Sequence, residues 1–424
     1  MGVTVQRLVD SPHPVRRIKG FIDWRGRVDR ERIAPVVAIA GTRGKTSLLR
    51  LVEAILCAGG LRIAAWTDSG VEIEGERQRG ELGPWSRALT RLKTGGLDVA
   101  LQELDWNTVP VLSSPGEAYP VVAVANFCAN NEACLVTPDM LQARRALGRL
   151  RNGVAPSGRL VLNADDFAVA DEERGGMANR LLVGVSADTP VLRRHISRGG
   201  DAVWIEDGQI VIQEELTRSF VCPLRSLPWT RGGRIPFAAQ NALLATAIAR
   251  SMGLPNGLVS SALAAYDAAP DRVPGAFNVF AVGAGTVVVD SPVPSWFLRT
   301  TLRGLSGVGD GRQIRVAGPM SSVESHDLGE VGRLLGRAGG VLVLHGSWPA
   351  DRLAAIRHGA SANGVPPLII QLADERSAVQ QCIEMLRQGD VMLVLAENPS
   401  SVIRQVEKQA RRHSTAARGT PGAA

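Results

Sequence analysis

Gly41-Thr42-Arg43-Gly44-Lys45-Thr46-Ser47 carries the residue types that bind a phosphate chain. Glycines let successive backbone N–H groups curl onto phosphate oxygens, a lysine neutralises β and γ charge, and a hydroxyl on the following residue can hold Mg²⁺. The stretch lacks the first glycine of the full GxxxxGK[ST] pattern, since Ile39 stands there. Its lysine still carries weight, because the chain has only Lys19, Lys45, Lys93 and Lys408 against 44 arginines. Nucleotide binding is the chemistry these residues point to.

A loop of this kind needs a strand before it and a helix after it. Val36-Val37-Ala38-Ile39-Ala40 is β-rich and ends at Gly41, while Leu48, Leu49, Leu51, Val52, Ile55 and Leu56 recur at helical spacing before Gly59-Gly60. Further strands are expected at 97–101, 121–125 and 160–162, with spacers long enough for crossovers, which predicts a mostly parallel sheet covered by helices. Residues 191–235 read as antiparallel hairpins added to that sheet, with a turn at Asp207-Gly208. Helical spacing returns over 241–252, and the stretch 270–274 breaks the pattern. Strands at 286–289, 313–316, 341–344, 368–371 and 391–395, with a helix over 378–387, make a second α/β series of ordinary domain size. The predicted fold is α/β, a P-loop-type mostly parallel central-sheet domain followed by a smaller Rossmann-like α/β domain. The expected layout is a short basic arm at 1–34, a central ATP-binding domain at 35–271, a C-terminal domain at 272–410 and a disordered tail at 411–424.

Composition narrows the class. At 424 residues and 45% hydrophobic, the chain has apolar material for two or three cores and is neither disordered nor collagen-like. There is no uncharged apolar run of about 18 residues, and Arg16, Arg17 and Lys19 have no apolar stretch behind them. Neither a spanning helix nor a secretory signal is expected, and a cytoplasmic location is. Cys57, Cys128, Cys134, Cys222 and Cys382 are odd in number and lack CxxC spacing, which argues against a disulfide framework or a zinc site. The net charge of +7 sits in the ends, where residues 1–34 hold eight Lys/Arg against four Asp/Glu and residues 401–424 hold five against one. With aromatics at 4% and no basic face interleaved with them, nucleic acid is not an expected partner, nor is a membrane.

The loop GTRGKTS resembles the GTNGKT[ST] loop of the Mur ligase superfamily, ATP-dependent ligases that join an acid to an amino acid. The chain is most similar to the C-terminal ligase half of cyanophycin synthetase. Other segments fall in the same order: Val122 to Asn126, Leu162-Asn163-Ala164-Asp165-Asp166, Gln240-Asn241-Ala242, Val273 to Asn278 and Val287 to Asp290. The resemblance implies a ligase that forms an amide or peptide bond through an acyl phosphate. It implies ATP and Mg²⁺ as cofactors, and an amino acid or peptide amine and a carboxylate as substrates. It would have Gly41, Thr42, Arg43, Gly44, Lys45, Thr46 and Ser47 bind phosphates, with Lys45 and Glu103 catalytic and Thr46 and Glu103 on the metal. Asn241 would lie at the adenine and Asp290 at the ribose. Read alone, Asn241 equally suits a helix N-cap, and Asp165 and Asp166 read as turn formers.

Several positions depart from that pattern. The stretch expected to supply a histidine to a second metal reads Asn126-Phe127-Cys128-Ala129-Asn130-Asn131, and amide oxygens are weaker ligands. The linker arginine is Ala276, with Arg272 a conceivable substitute; only Asp290 remains of D-Y-A-H-N-P; Gly-Asp-Arg is replaced by Gly318-Pro319-Met320-Ser321-Ser322. Lysine is absent between Lys93 and Lys408, so no carbamylated lysine can serve there. The arm before the first strand is too short for a uridine-nucleotide-binding domain, which disfavours a UDP-muramoyl substrate. Two functions therefore stay open: an active ligase, or an ATP-binding, catalytically weakened scaffold or regulatory subunit of a related ligase. A partner ligase or a homo-oligomer is left open in the same way.

Overall fold

The computed structural model describes residues 35–80, 82–110, 119–127, 138–166, 169, 179–337 and 339–418. The expected basic arm at 1–34 lies outside them, as do Cys128, Cys134, Asn130, Asn131 and residues 419–424. The described residues divide into two compact units, one running to Gly233 and resuming over Ala238–Tyr266, the other taking Arg234–Phe237 and everything from Asp267.

In the first unit the elements are β1 (Val36–Ala40), α1 (Lys45–Ala58), β2 (Ile63–Thr67), β3 (Gly70–Ile73), β4 (Glu76–Arg77), α2 (Leu82–Lys93), β5 (Val99–Leu104), β6 (Tyr119–Val124) and α3 (Pro138–Asn152). They continue as β7 (Val154–Asn163), β8 (Arg180–Ser186), α4 (Pro190–Ser197), β9 (Asp201–Glu206), β10 (Gln209–Glu214), β11 (Thr217–Pro223), α5 (Pro236–Ser251) and α6 (Asn256–Ala265). The strands form one sheet in the order β11-β10-β9-β8-β7-β6-β1-β5-β2-β3-β4. It is parallel from β9 through β2, with antiparallel strands added at both edges.

β1 explains the layering. Val37 and Ile39 point into a core built with α1 and α5, while Val36, Ala38 and Ala40 point into the opposite core. A strand buried on both faces reads as a continuous apolar run, as in parallel sheets sandwiched by helices. The Asp207-Gly208 turn between β9 and β10 takes positive φ at both residues, as the sequence suggested.

Some boundaries moved. β5 runs to Leu104, so Glu103 lies within the strand beside Ile39 and not beyond its end. α5 begins at Pro236, before the apolar spacing becomes regular, which puts Asn241 inside the helix and removes the N-cap reading.

In the second unit the sheet is β12 (Asn278–Val282), β13 (Gly285–Asp290), β14 (Gln313–Ala317), β15 (Val341–His345), β16 (Leu368–Leu372) and β17 (Val391–Leu395), in the order β12-β13-β17-β14-β15-β16. Its helices are α7 (Ser295–Ser306), α8 (Leu328–Gly336), α9 (Ala350–Ser361), α10 (Glu375–Glu384) and α11 (Pro399–Arg418). α11 extends through Arg418, so the tail expected to be disordered from 411 is helical over most of its length; arginine and alanine are good helix formers.

α8 and α9 pack backbone against backbone. A Cβ on Gly359 would lie 1.9 Å from the Gly329 carbonyl oxygen, and one on Gly332 would lie 2.2 Å from that of Ile356. Neither neighbour can yield without moving a helix. Gly359→Ala is expected to destabilise the protein by about 2 kcal/mol despite alanine's better helix propensity. Urea midpoints check this, and an unchanged or raised midpoint would contradict the close crossing.

Candidate functional site

The turn from β1 to α1 sits where the sheet reverses direction. β1 lies between β5 and β6, and the chain moves outward to opposite sides from it, so the carboxyl end of β1 is a topological switch point. Gly44 occupies the left-handed region at φ 76°, which glycine tolerates at little cost, and this lets Lys45 begin the helix at once. The N-terminus of α1 has no side-chain cap and no acid in its first turn. Its positive end is thereby left for an anion.

Three strand ends hold the loop. The Asn126 carbonyl accepts from Thr42 N at 3.1 Å. The Asn126 side chain accepts from Arg43 N at 3.2 Å and donates to Arg43 O at 2.8 Å. From β5, Trp106 Nε1 donates to Thr42 Oγ1 at 3.1 Å, and Thr42 Oγ1 donates to Phe127 O at 2.7 Å. The Trp106 and Phe127 rings stack at 4.6 Å, and Asp166 accepts from Phe127 N at 2.7 Å. Asp166 thus builds the site without facing it, in keeping with its reading as a turn former.

Lys45, Thr46 and Glu103 meet as the sequence suggested. Thr46 Oγ1 lies 3.0 and 2.9 Å from the two Glu103 oxygens. Lys45 Nζ lies 3.5 Å from Glu103 and 2.6 Å from Asp105, its side chain only 5% exposed. Burial pushes the Glu103 carboxyl up from its ordinary value, opposed by the Lys45 charge and the Thr46 hydroxyl. The donor set suits Mg²⁺, which commonly takes one or two carboxylates and completes its shell with water and phosphate oxygens. Among the described residues no three His, Cys, Asp or Glu converge on a metal, so an ion here would complete its shell with water or phosphate oxygens.

Two further predicted residues lie on other elements. Asn241 is half-buried inside α5, and it is its neighbour Gln240 that reaches the strand ends, donating to Asn163 Oδ1 at 3.0 Å. Asn163 in turn donates to Ala125 O at 2.7 Å. Asp290 closes β13 in the second unit, where its oxygens accept from Ser291 N at 2.9 Å and Thr301 Oγ1 at 3.0 Å. Sequence reasoning missed Asp105 and Trp106. Their one available signal was position, two and three residues after Glu103.

The cyanophycin synthetase of Synechocystis is 25% identical over 390 residues, 88% of this chain and 43% of that protein. The UDP-N-acetylmuramoylalanine–D-glutamate ligase of Streptomyces avermitilis is 26% identical over 395 residues, 88% of this chain and 73% of that one. Over most of its length the chain is similar to ligases of the Mur type. Among solved structures, Escherichia coli FolC in complex with ADP superposes with a TM-score of 0.61 at 15% identity, covering 97% of both chains. The Thermotoga maritima MurF ligase in complex with ADP gives 0.59 at 14% identity, covering 93% of this chain and 84% of that one. No protein-family profile matches the chain. The likeness fits the two α/β units, and this Mur-ligase-like chain spans under half the length of the cyanophycin synthetases it matches. No helix among the described residues is long and apolar enough to cross a membrane.

Two measurements test the frame. Asn126→Ala strips Arg43 of two hydrogen bonds and is expected to lower stability by about 1–2 kcal/mol, read from urea midpoints. Asp165 is pushed up to about 6 by burial, against the bond it accepts from Val185 N. A carboxyl whose folded pKa is raised binds protons more readily when folded, so its burial costs stability increasingly as pH rises from about 4 to about 6. Asp165→Asn is therefore expected to stabilise the protein by about 1–2 kcal/mol at pH 7.5, a gain that disappears near pH 4. Equal gains at both pH values would refute the assignment.

Proposed function

We propose that this Mur-ligase-like chain is an ATP- and Mg²⁺-dependent carboxylate–amine ligase that works through an acyl phosphate. The observation that carries the reading is the meeting of Lys45, Thr46 and Glu103 at the switch point of the sheet. Likeness across the chain to proteins named as ligases supports it.

In this reading a substrate carboxylate oxygen attacks the γ-phosphorus of ATP, and ADP leaves with the bridging electron pair. An amino acid or peptide amine then attacks the carbonyl carbon of the acyl phosphate. Inorganic phosphate departs, the nitrogen loses a proton and an amide remains. The chain's task is positioning and charge stabilisation. The loop from Gly41 to Ser47 and the positive end of α1 hold the phosphates, and Lys45 faces the charge on the transferred group. Thr46 and Glu103 would hold Mg²⁺, which supplies the divalent charge that offsets the phosphoryl oxygens. Asn241 at the adenine and Asp290 at the ribose complete the proposal.

A second reading, an ATP-binding, catalytically weakened scaffold or regulatory subunit, is favoured by Ala276 and the Gly318–Ser322 stretch, where uncharged residues replace the expected arginines. ADP release by purified protein, measured across amine and carboxylate pairs, separates the two. The ligase reading expects release that needs both substrates and falls about 10²–10³-fold in Lys45→Ala. ATP binding with no stimulated turnover would leave the scaffold.

A further inference from the structure

Lys45 is a nearly buried cation whose nearest partner is Asp105, at 2.6 Å, with Glu103 at 3.5 Å on its other side. Glu103 has a second task, since both its oxygens lie against Thr46 Oγ1. Asp105 has no comparable side-chain task. Its carboxylate is 45% exposed at the mouth of the site, and its backbone carbonyl closes the turn by accepting from Thr108 N at 2.9 Å. The turn at position 105 is held through the backbone and does not need the side chain's charge.

The local charge is unbalanced. Two carboxylates face one ammonium, and Asp68, exposed on the turn after β2, adds its field at Glu103. A triphosphate approaching the Lys45 side of this loop meets these carboxylates, and the lysine meant to receive it is already engaged. A divalent cation held by Thr46 and Glu103 would offset that charge.

We propose that Asp105 is a charge lock on the phosphate loop: it holds Lys45 while no phosphate is present and makes nucleotide entry conditional on a divalent cation. The inference rests on the nucleotide-binding reading of the site. Asp105 acts through Lys45, as a positioning residue, by surrendering it to the phosphate. Removing its charge should favour the nucleotide most where no divalent cation is present.

Titration calorimetry of ATP into the full chain, in EDTA and in excess Mg²⁺, tests this. Asp105→Asn keeps shape and turn but loses the charge, and should bind ATP about tenfold more tightly in EDTA, with a smaller gain in Mg²⁺. Asp105→Glu should restore the wild-type dependence on Mg²⁺. In a Lys45→Met background Asp105→Asn should lose most of its effect, because the pair is already broken. Asp105→Ser supplies a second neutral variant should Asp105→Asn fail to fold. If wild type binds ATP, Lys45→Met binds it more weakly, and neutral variants bind no more tightly than wild type, the lock is refuted while the nucleotide site stands. If neither wild type nor neutral variants bind ATP in either condition, both fall.

Discussion

An ammonium group buried against two carboxylates organises the first unit. Taking Lys45 out of water costs several kcal/mol unless opposite charge accompanies it, and Glu103 and Asp105 provide that charge from one strand. They can do so because β5 runs parallel to β1, with Ile39 beside Glu103 and Ala40 beside Leu104. Alternation along β5 then puts residues 103 and 105 on the same side at the strand end. A slip of one residue in that register would turn both carboxylates away from the lysine, so the site's electrostatics and the sheet's hydrogen bonding are one constraint.

The opposite flank is built from neutral amides. Asn126 clasps the backbone of Arg43, Asn163 donates to Ala125 next to it, and Gln240 of α5 donates to Asn163. Amides present donors and acceptors together, so such a chain can link backbone groups without adding charge. The carboxylate on this flank, Asp166, accepts from Phe127 N at 2.7 Å, whereas Glu103 and Asp105 lie against Lys45 itself.

Sequence reached some of this and not the rest. The loop was legible because its chemistry is local: glycine, lysine and hydroxyl lie within one turn, between an apolar strand and a helix of regular spacing. Both sheets were legible as alternating α/β series, and Glu103 through the ordered resemblance. The partners Asp105, Trp106 and Asn126 were not assigned these roles, because strand register brings them to the loop from far along the chain and no periodicity encodes that. Asn241 was misread as a helix start because apolar spacing becomes regular only there, whereas Pro236, suited to a first helical turn, opens α5 earlier. The extension of α11 was hidden by the polarity of its last turns, which in an exposed helix is no evidence against helicity.

The second unit shows what becomes of a loop when its expected charges are gone. The stretch from Gly318 to Val323 leaves the carboxyl end of β14, and Met320 takes a positive φ of 50°, unfavourable for its side chain. Such a conformation persists only where the surroundings hold it. Glu397, just beyond β17, accepts from Met320 N at 2.6 Å, and Arg352 donates to the carbonyls of Met320 at 2.7 Å and Val323 at 2.9 Å. Glu397 and Arg352 are thus engaged with the loop's own backbone and hold its conformation. A loop fixed in this way is compatible with a ligase whose acceptor pocket is preformed and with a scaffold that needs no acceptor. The two readings therefore part on the chemistry this edge of the sheet can support, and not on whether the edge is ordered.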